Sequence, residues 1–96
     1  MATFVSLINF TDQGIRNIKE SPNRAEAFTG MASKLGLKVK SILWTTGNYD
    51  LVVVTEGSDE AAMAALLTTG SLGNVRSQTL RAYSSTEIQK IISLMP

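Results

Sequence analysis

Two stretches of the chain, TFVSLINF at 3–10 and LVVV within 51–54, carry apolar side chains at successive positions. A strand with one wet face alternates apolar and polar residues, because successive side chains point to opposite sides of the sheet. In the first stretch Phe4, Ile8 and Phe10 share one face and Val5 and Leu7 the other. Both faces of the sheet that holds these strands must therefore be covered. TFVSLINF reads as a central strand.

The rest of the chain supplies helices for one of those faces. After Thr11-Asp12, Ile15 and Ile18 begin a helical spacing that Ser21-Pro22 interrupts; Ser21 is expected to cap a new helix with Pro22 in its first turn. Ala25, Phe28, Ala32 and Leu35 line one side of that helix and Gly36 ends it. LKVKSILWTT (37–46) and YDLVVVTE (49–56) read as two strands joined by a Gly47-Asn48 turn of type II′, which pairs Trp44 with Leu51. Ser58 and Asp59-Glu60 open a second helix, with Ala62, Leu66, Met63 and Leu67 apolar and Gly70 as its stop. NVRSQTLRAY (74–83) is a fourth strand. Ser84-x-x-Glu87 is a capping box before a last helix with Ile88, Ile91, Ile92 and Met95 on one side. The order predicts an α+β, ferredoxin-like βαββαβ antiparallel sheet of order 4-1-3-2, with two helices on one face and an added C-terminal helix. One domain is expected over residues 1–96.

Composition narrows the chemistry. The chain has no Cys and no His, which removes thiolate nucleophiles, disulfides and the commonest metal ligand and general base. No metal site and no cofactor are expected. A net charge of +1 argues against partners bound by bulk electrostatics, so neither nucleic acid nor a membrane surface is expected. Lys34, Lys38 and Lys40 gather around the second strand, an edge strand, where charge discourages strand-to-strand aggregation. No apolar run approaches the ~20 residues of a membrane span, and no export signal is read at the N-terminus; a cytoplasmic location is the expectation.

Gly47-Asn48-Tyr49-Asp50 with Glu56 beyond it, Gly73-Asn74-Val75-Arg76 and Thr79-Leu80-Arg81-Ala82 together resemble the GYD domain family of small, mostly bacterial proteins. The likeness also takes in Gln13-Gly14, Pro22 and Arg24. It implies a ferredoxin-like fold of the dimeric α+β-barrel type and carries no activity with it. The chain departs from the family at Gly57-Ser58, where members often place Ala-Pro.

Carrying the parity of Leu37 through the hairpin puts Leu37, Val39, Leu43, Val52, Val54 and Asp50 beneath the helices, with Leu80 and Ala82 beside them. Ile42, Trp44, Tyr49, Leu51 and Val53 then face the open side, where Trp44, Tyr49, Ser77, Thr79, Arg81 and Tyr83 are the candidate lining of a small-ligand site. The competing reading pairs Arg81 with Glu87 and puts the aromatics in an interface. Gly47, Asn48, Tyr49, Asp50 and Arg76 read as a structural motif, with the Asp50 carboxylate accepting amides near Asp12–Ile15 or pairing with Arg76. The leading functional expectation is a homo-oligomeric module, a homodimer or larger, holding a small ligand at or near the subunit junction. The alternative is a small cofactor-independent enzyme of the dimeric α+β-barrel type working in an enclosed cavity. The last helix covers either its own sheet or that of a partner.

Overall fold

β1 (Ala2–Phe10) is a central strand in the computed structural model, which describes all 96 residues. It pairs antiparallel with β3 (Leu51–Gly57) on one side and β4 (Val75–Ala82) on the other. β2 (Lys38–Trp44) completes a sheet of order β2-β3-β1-β4, the expected ferredoxin-like order read from the other edge. Between β1 and β2 lie α1 (Asp12–Arg16), a 3-10 turn (Ile18–Glu20) and α2 (Ser21–Lys34). α3 (Asp59–Ser71) joins β3 to β4, and α4 (Ser85–Ile92) follows β4.

The helix signals hold at most ends. The Ser58 hydroxyl accepts from the amide of Ala61, and Ser84 and Glu87 close a complete capping box. Gly36 leaves α2 at φ +80, a conformation only glycine adopts readily. Two details differ. α3 runs through Gly70 and is followed by Gly73 at φ +82. Ser21 is no cap: the 3-10 turn runs straight into α2, and the Ser21 hydroxyl accepts instead from Trp44 Nε1 at 3.0 Å.

Leu37 and Val39 face the helices as expected, but Ile42–Trp44, Leu51–Val54 and the residues of β4 lie on the opposite faces from those expected. The side under α2 and α3 carries Phe4, Ser6, Leu51, Val53 and Thr55, all buried, with Ile42 opposite Val53 and Trp44 opposite Leu51. Ser77, Thr79 and Arg81 lie on that side too, opposite Ile8, Ser6 and Phe4. The cause is a β-bulge between Val39 and Ser41. One extra residue shifts parity by one, so Leu37 and Val39 before it and Ile42 and Trp44 after it all face the helices. Period-two counting from Leu37 crosses that bulge unawares and assigns the wrong side to Ile42, Leu43, Trp44 and Leu51–Val54 beyond it.

The open face holds two apolar rows across the strands, Leu43–Val52–Leu7 and Val54–Val5–Leu80, the first ending at Gln78 and the second beginning at Ser41. Polar rows bound them: Lys38, Glu56 and Thr3 on one side, Asn9 and Arg76 on the other. Lys40 Nζ sits 3.7 Å from Glu56 Oε1 at that rim. Leu43 is 59% exposed and Leu80 44%.

α4 does not cover this face. Ile88, Ile91 and Ile92 are 41%, 40% and 55% exposed, and the helix has no buried residue. The radius of gyration of 14.6 Å exceeds the roughly 13 Å of a compact chain of about 100 residues, as a projecting helix requires. Only 13 of the 96 residues are buried, and the core cluster of Phe4, Leu37, Ala32, Ala61, Ala62 and Ala65 is mostly alanine. The isolated chain has a thin interior.

α4 is tied to the body at its start. The Ser84 amide and hydroxyl both bond with Glu87, and Arg81 Nη2 lies 3.8 Å from Glu87 Oε2. The amide of Ser84 first, then its side chain, and then the Arg81 charge hold the Glu87 carboxyl below the ordinary 4.5. A depressed carboxyl stabilises the fold above its unfolded value and loses that contribution as pH falls through its folded value. α4 should therefore lose helicity at its first turn as pH drops below about 4.5. An NMR titration in which the Glu87 side-chain carbonyl carbon shifts at or above the ordinary value would contradict this.

Candidate functional site

One end of the molecule gathers most of the short motifs. The β1–α1 corner, the α3–β4 loop and the β2–β3 hairpin meet there because β1 ends, β4 begins and the hairpin turns on the same side of the sheet. The amide of Thr11 donates to Asn74 O at 3.0 Å and its hydroxyl to Gly73 O at 2.6 Å. Gln13 Nε2 donates to Leu72 O at 3.1 Å and to Asn74 Oδ1 at 2.9 Å. A Cβ built on Gly14 would stand 1.9 Å from Asn74 O. Only glycine allows the two loops to approach this closely.

Asp50 answers for the hairpin. Its amide donates to Ile8 O at 2.8 Å, and its Oδ2 accepts from the amide of Phe10 at 2.8 Å. The carboxylate thus extends the β1–β3 ladder past the last paired residues. The expected partners lie further along: the amides at Asp12–Ile15 are not used, and neither ion pair of the chain involves Asp50 or Arg76. Gly47 takes the turn at φ +105, and Thr45 N donates to Asp50 O at 2.9 Å. Asp50→Ala should orphan the Phe10 amide and cost about 1–2 kcal/mol, whereas Asp50→Asn keeps an acceptor and should cost less. Equal denaturant midpoints for the wild type and Asp50→Ala would refute this role.

Beside this corner, between sheet and helices, lies a cavity of about 80 Å³. Its floor is Ile8, Phe10, Leu51 and Val53, and its roof Ala25, Phe28 and Leu66. Ser6, Ser21 and Ser77 bring hydroxyls to it, and Arg24 is the one charged side chain in its lining. Ser77 and Gly70 line it and are exposed, so it reaches solvent. Arg24 bridges cavity and corner: Nη1 donates to Asn17 O at 3.0 Å, Nη2 to Gly14 O at 3.2 Å, and the guanidinium lies 6.0 Å from the centre of the Phe10 ring.

The six candidate ligand residues do not converge. Ser77 reaches the cavity, from the helix side. Thr79 shares a 2.8 Å hydrogen bond with Ser6 next to it. Trp44 is held by Ser21 at the edge of α2. Tyr49 donates to Gln78 Oε1 at 3.3 Å, on the other side of the sheet. Arg81 stacks on Tyr83 at 4.4 Å, faces Phe4 at 5.8 Å and pairs with Glu87 at the far end of β4. An open-face pocket built from all six is therefore not formed, because the bulge in β2 and the apolar outer rows invert the faces. The cavity lining on α2 was legible in part: Ser21, Arg24, Ala25 and Phe28 follow the i, i+3, i+4, i+7 spacing of one helix face. Ser77 was a candidate from the sequence, though assigned to the other face, and the hydroxyl of Ser6 gave no signal.

The GYD domain model matches residues 4–92. The chain belongs to the GYD domain family. A relative from Thermus thermophilus is 34% identical over 84 residues, 85% of this chain and 88% of that protein. It is named glutamine synthetase and cystathionine beta-lyase binding protein. In this GYD domain, Gly47–Asp50 proves to be a corner whose carboxylate completes a sheet. The chain has no group of three or more acidic residues placed to hold a metal ion, and no helix long and apolar enough to cross a membrane.

Proposed function

We propose that this GYD domain is a non-enzymatic homo-oligomeric module, two copies meeting through their open sheet faces, and that the assembly binds other proteins. The observation that carries the assembly is the pair of apolar rows Leu43–Val52–Leu7 and Val54–Val5–Leu80, contiguous, uncovered by α4 and bounded by polar rows. An apolar patch with a polar rim has the anatomy of an interface. The free apolar side of α4 adds to it, since a helix of this kind is stable only when its apolar side is covered.

Protein binding rests on the Thermus relative, which is named for two enzymes that it binds. Binding in place of catalysis suits the chain's chemistry: it has neither His nor Cys, and no carboxylate lines its cavity. Light scattering at micromolar concentration tests the assembly; a mass of at least twice 10.3 kDa is expected, and a 10.3 kDa species overturns it. Sedimentation of the purified protein mixed with glutamine synthetase or cystathionine β-lyase from the same organism tests the partner class. A faster-moving complex is expected with at least one, and independent sedimentation with both would remove that part of the reading.

A further inference from the structure

We propose that the cavity between α2, α3 and the sheet is a binding site for a small aliphatic monocarboxylate, its branched tail in the cavity and its carboxylate on Arg24. The site lies within one subunit, on the side of the sheet away from the open face, and does not depend on the assembly proposed above.

Three observations converge on this ligand. The volume of about 80 Å³ is about half the ~150 Å³ of an engineered apolar cavity that takes benzene, which suits a tail of a few carbons better than a ring. The walls are aliphatic and aromatic, and Ser6, Ser21, Thr69 and Ser77 are the neutral hydroxyl side chains of the lining. The Ser21 hydroxyl already accepts from Trp44, so its own hydrogen remains to donate.

Arg24 decides the charge of the ligand. It lines the cavity, is half-buried, and takes part in neither ion pair of the chain. Two of its N–H groups hold the carbonyls of Asn17 and Gly14. The remaining donors of the guanidinium fork suit a carboxylate, which accepts from them as a charge-assisted pair. No acidic side chain lines the cavity to repel such a ligand or to compete for Arg24.

The test is an NMR titration of the full chain with acetate, isobutyrate, isovalerate, benzoate and 3-methylbutan-1-ol. Isobutyrate or isovalerate should produce saturable shifts at Ala25, Leu66 and Ser77. Acetate lacks the tail, benzoate suits the space less well and the alcohol lacks the charge; each should bind at least ten-fold more weakly. Arg24→Gln should weaken the acid at least ten-fold and bring it level with the alcohol. Because Arg24 also holds the α1 corner, Ala25→Leu is the second variant: it fills the cavity from α2 and should abolish binding while the fold stays intact by its amide spectrum. Binding of the alcohol as tight as that of the acid, no saturable binding of either branched acid, or unchanged binding in folded Ala25→Leu would each overturn the proposal.

Discussion

Leu80→Asp should turn the protein into a folded monomer. Leu80 lies on the outer face of β4, opposite Val5 and in the same apolar row as Val54. If two such faces meet, the substitution buries a carboxylate from each copy with no partner, which weakens association by about 3 kcal/mol or more, over 100-fold in the dissociation constant. In the separate chain Leu80 is 44% exposed, so a polar residue there should change the stability of the monomer by only about 0.5 kcal/mol. Light scattering should then report 10.3 kDa with the far-UV spectrum unchanged. Two substitutions on the helix side serve as controls. Met63→Asp on α3 should leave the mass unaltered. Trp44→Asp loses the hydrogen bond to Ser21 and should lower stability without dissociating the assembly. An oligomer that survives Leu80→Asp and dissociates in Met63→Asp would place the interface on the helices and refute the sheet-to-sheet arrangement.

Gly14→Ala should be the most damaging single-methyl change in the chain. The new Cβ would stand 1.9 Å from Asn74 O and 2.9 Å from Asn74 C, both backbone atoms that cannot rotate aside. Relief requires the β1–α1 corner to part from the α3–β4 loop. That puts at risk the bonds from Thr11 to Asn74 and Gly73 and from Gln13 to Leu72 and Asn74. At a net of about 1 kcal/mol per hydrogen bond the loss is about 3–4 kcal/mol, a large share of the roughly 5–15 kcal/mol that holds a small domain folded. The melting temperature should fall by about 15 °C or more. Gly30→Ala is the contrasting case: its Cβ meets nothing within 4 Å, and an exposed helical position gains about 1 kcal/mol from alanine. Equal melting temperatures for the two variants would mean that the corner is not the rigid clamp described.

Local signals determined what local forces decide. The capping box at Ser84-x-x-Glu87, the Ser58 cap and the glycine end at Gly36 involve groups a few residues apart, so residue order alone placed most element boundaries and, with the handedness of crossovers, the strand order β2-β3-β1-β4. The apolar runs in β1 and β3 also showed that both faces of the sheet need cover. They did not show which face takes the helices, because a sheet apolar on both sides offers no polar reference from which to count. The tertiary structure decided that through the bulge between Val39 and Ser41, a one-residue slip with no local sequence signature that turned Ile42 and Trp44 toward the helices, while the pairing of β4 with β1 put Ser77, Thr79 and Arg81 on that same side. It likewise decided that Asp50 bonds to Phe10, 40 positions away, and that Ser21 serves Trp44 and caps nothing. Arg24 became part of a cavity lining for the same reason: chain segments distant in sequence met at one end of the sheet, and only their meeting created the space.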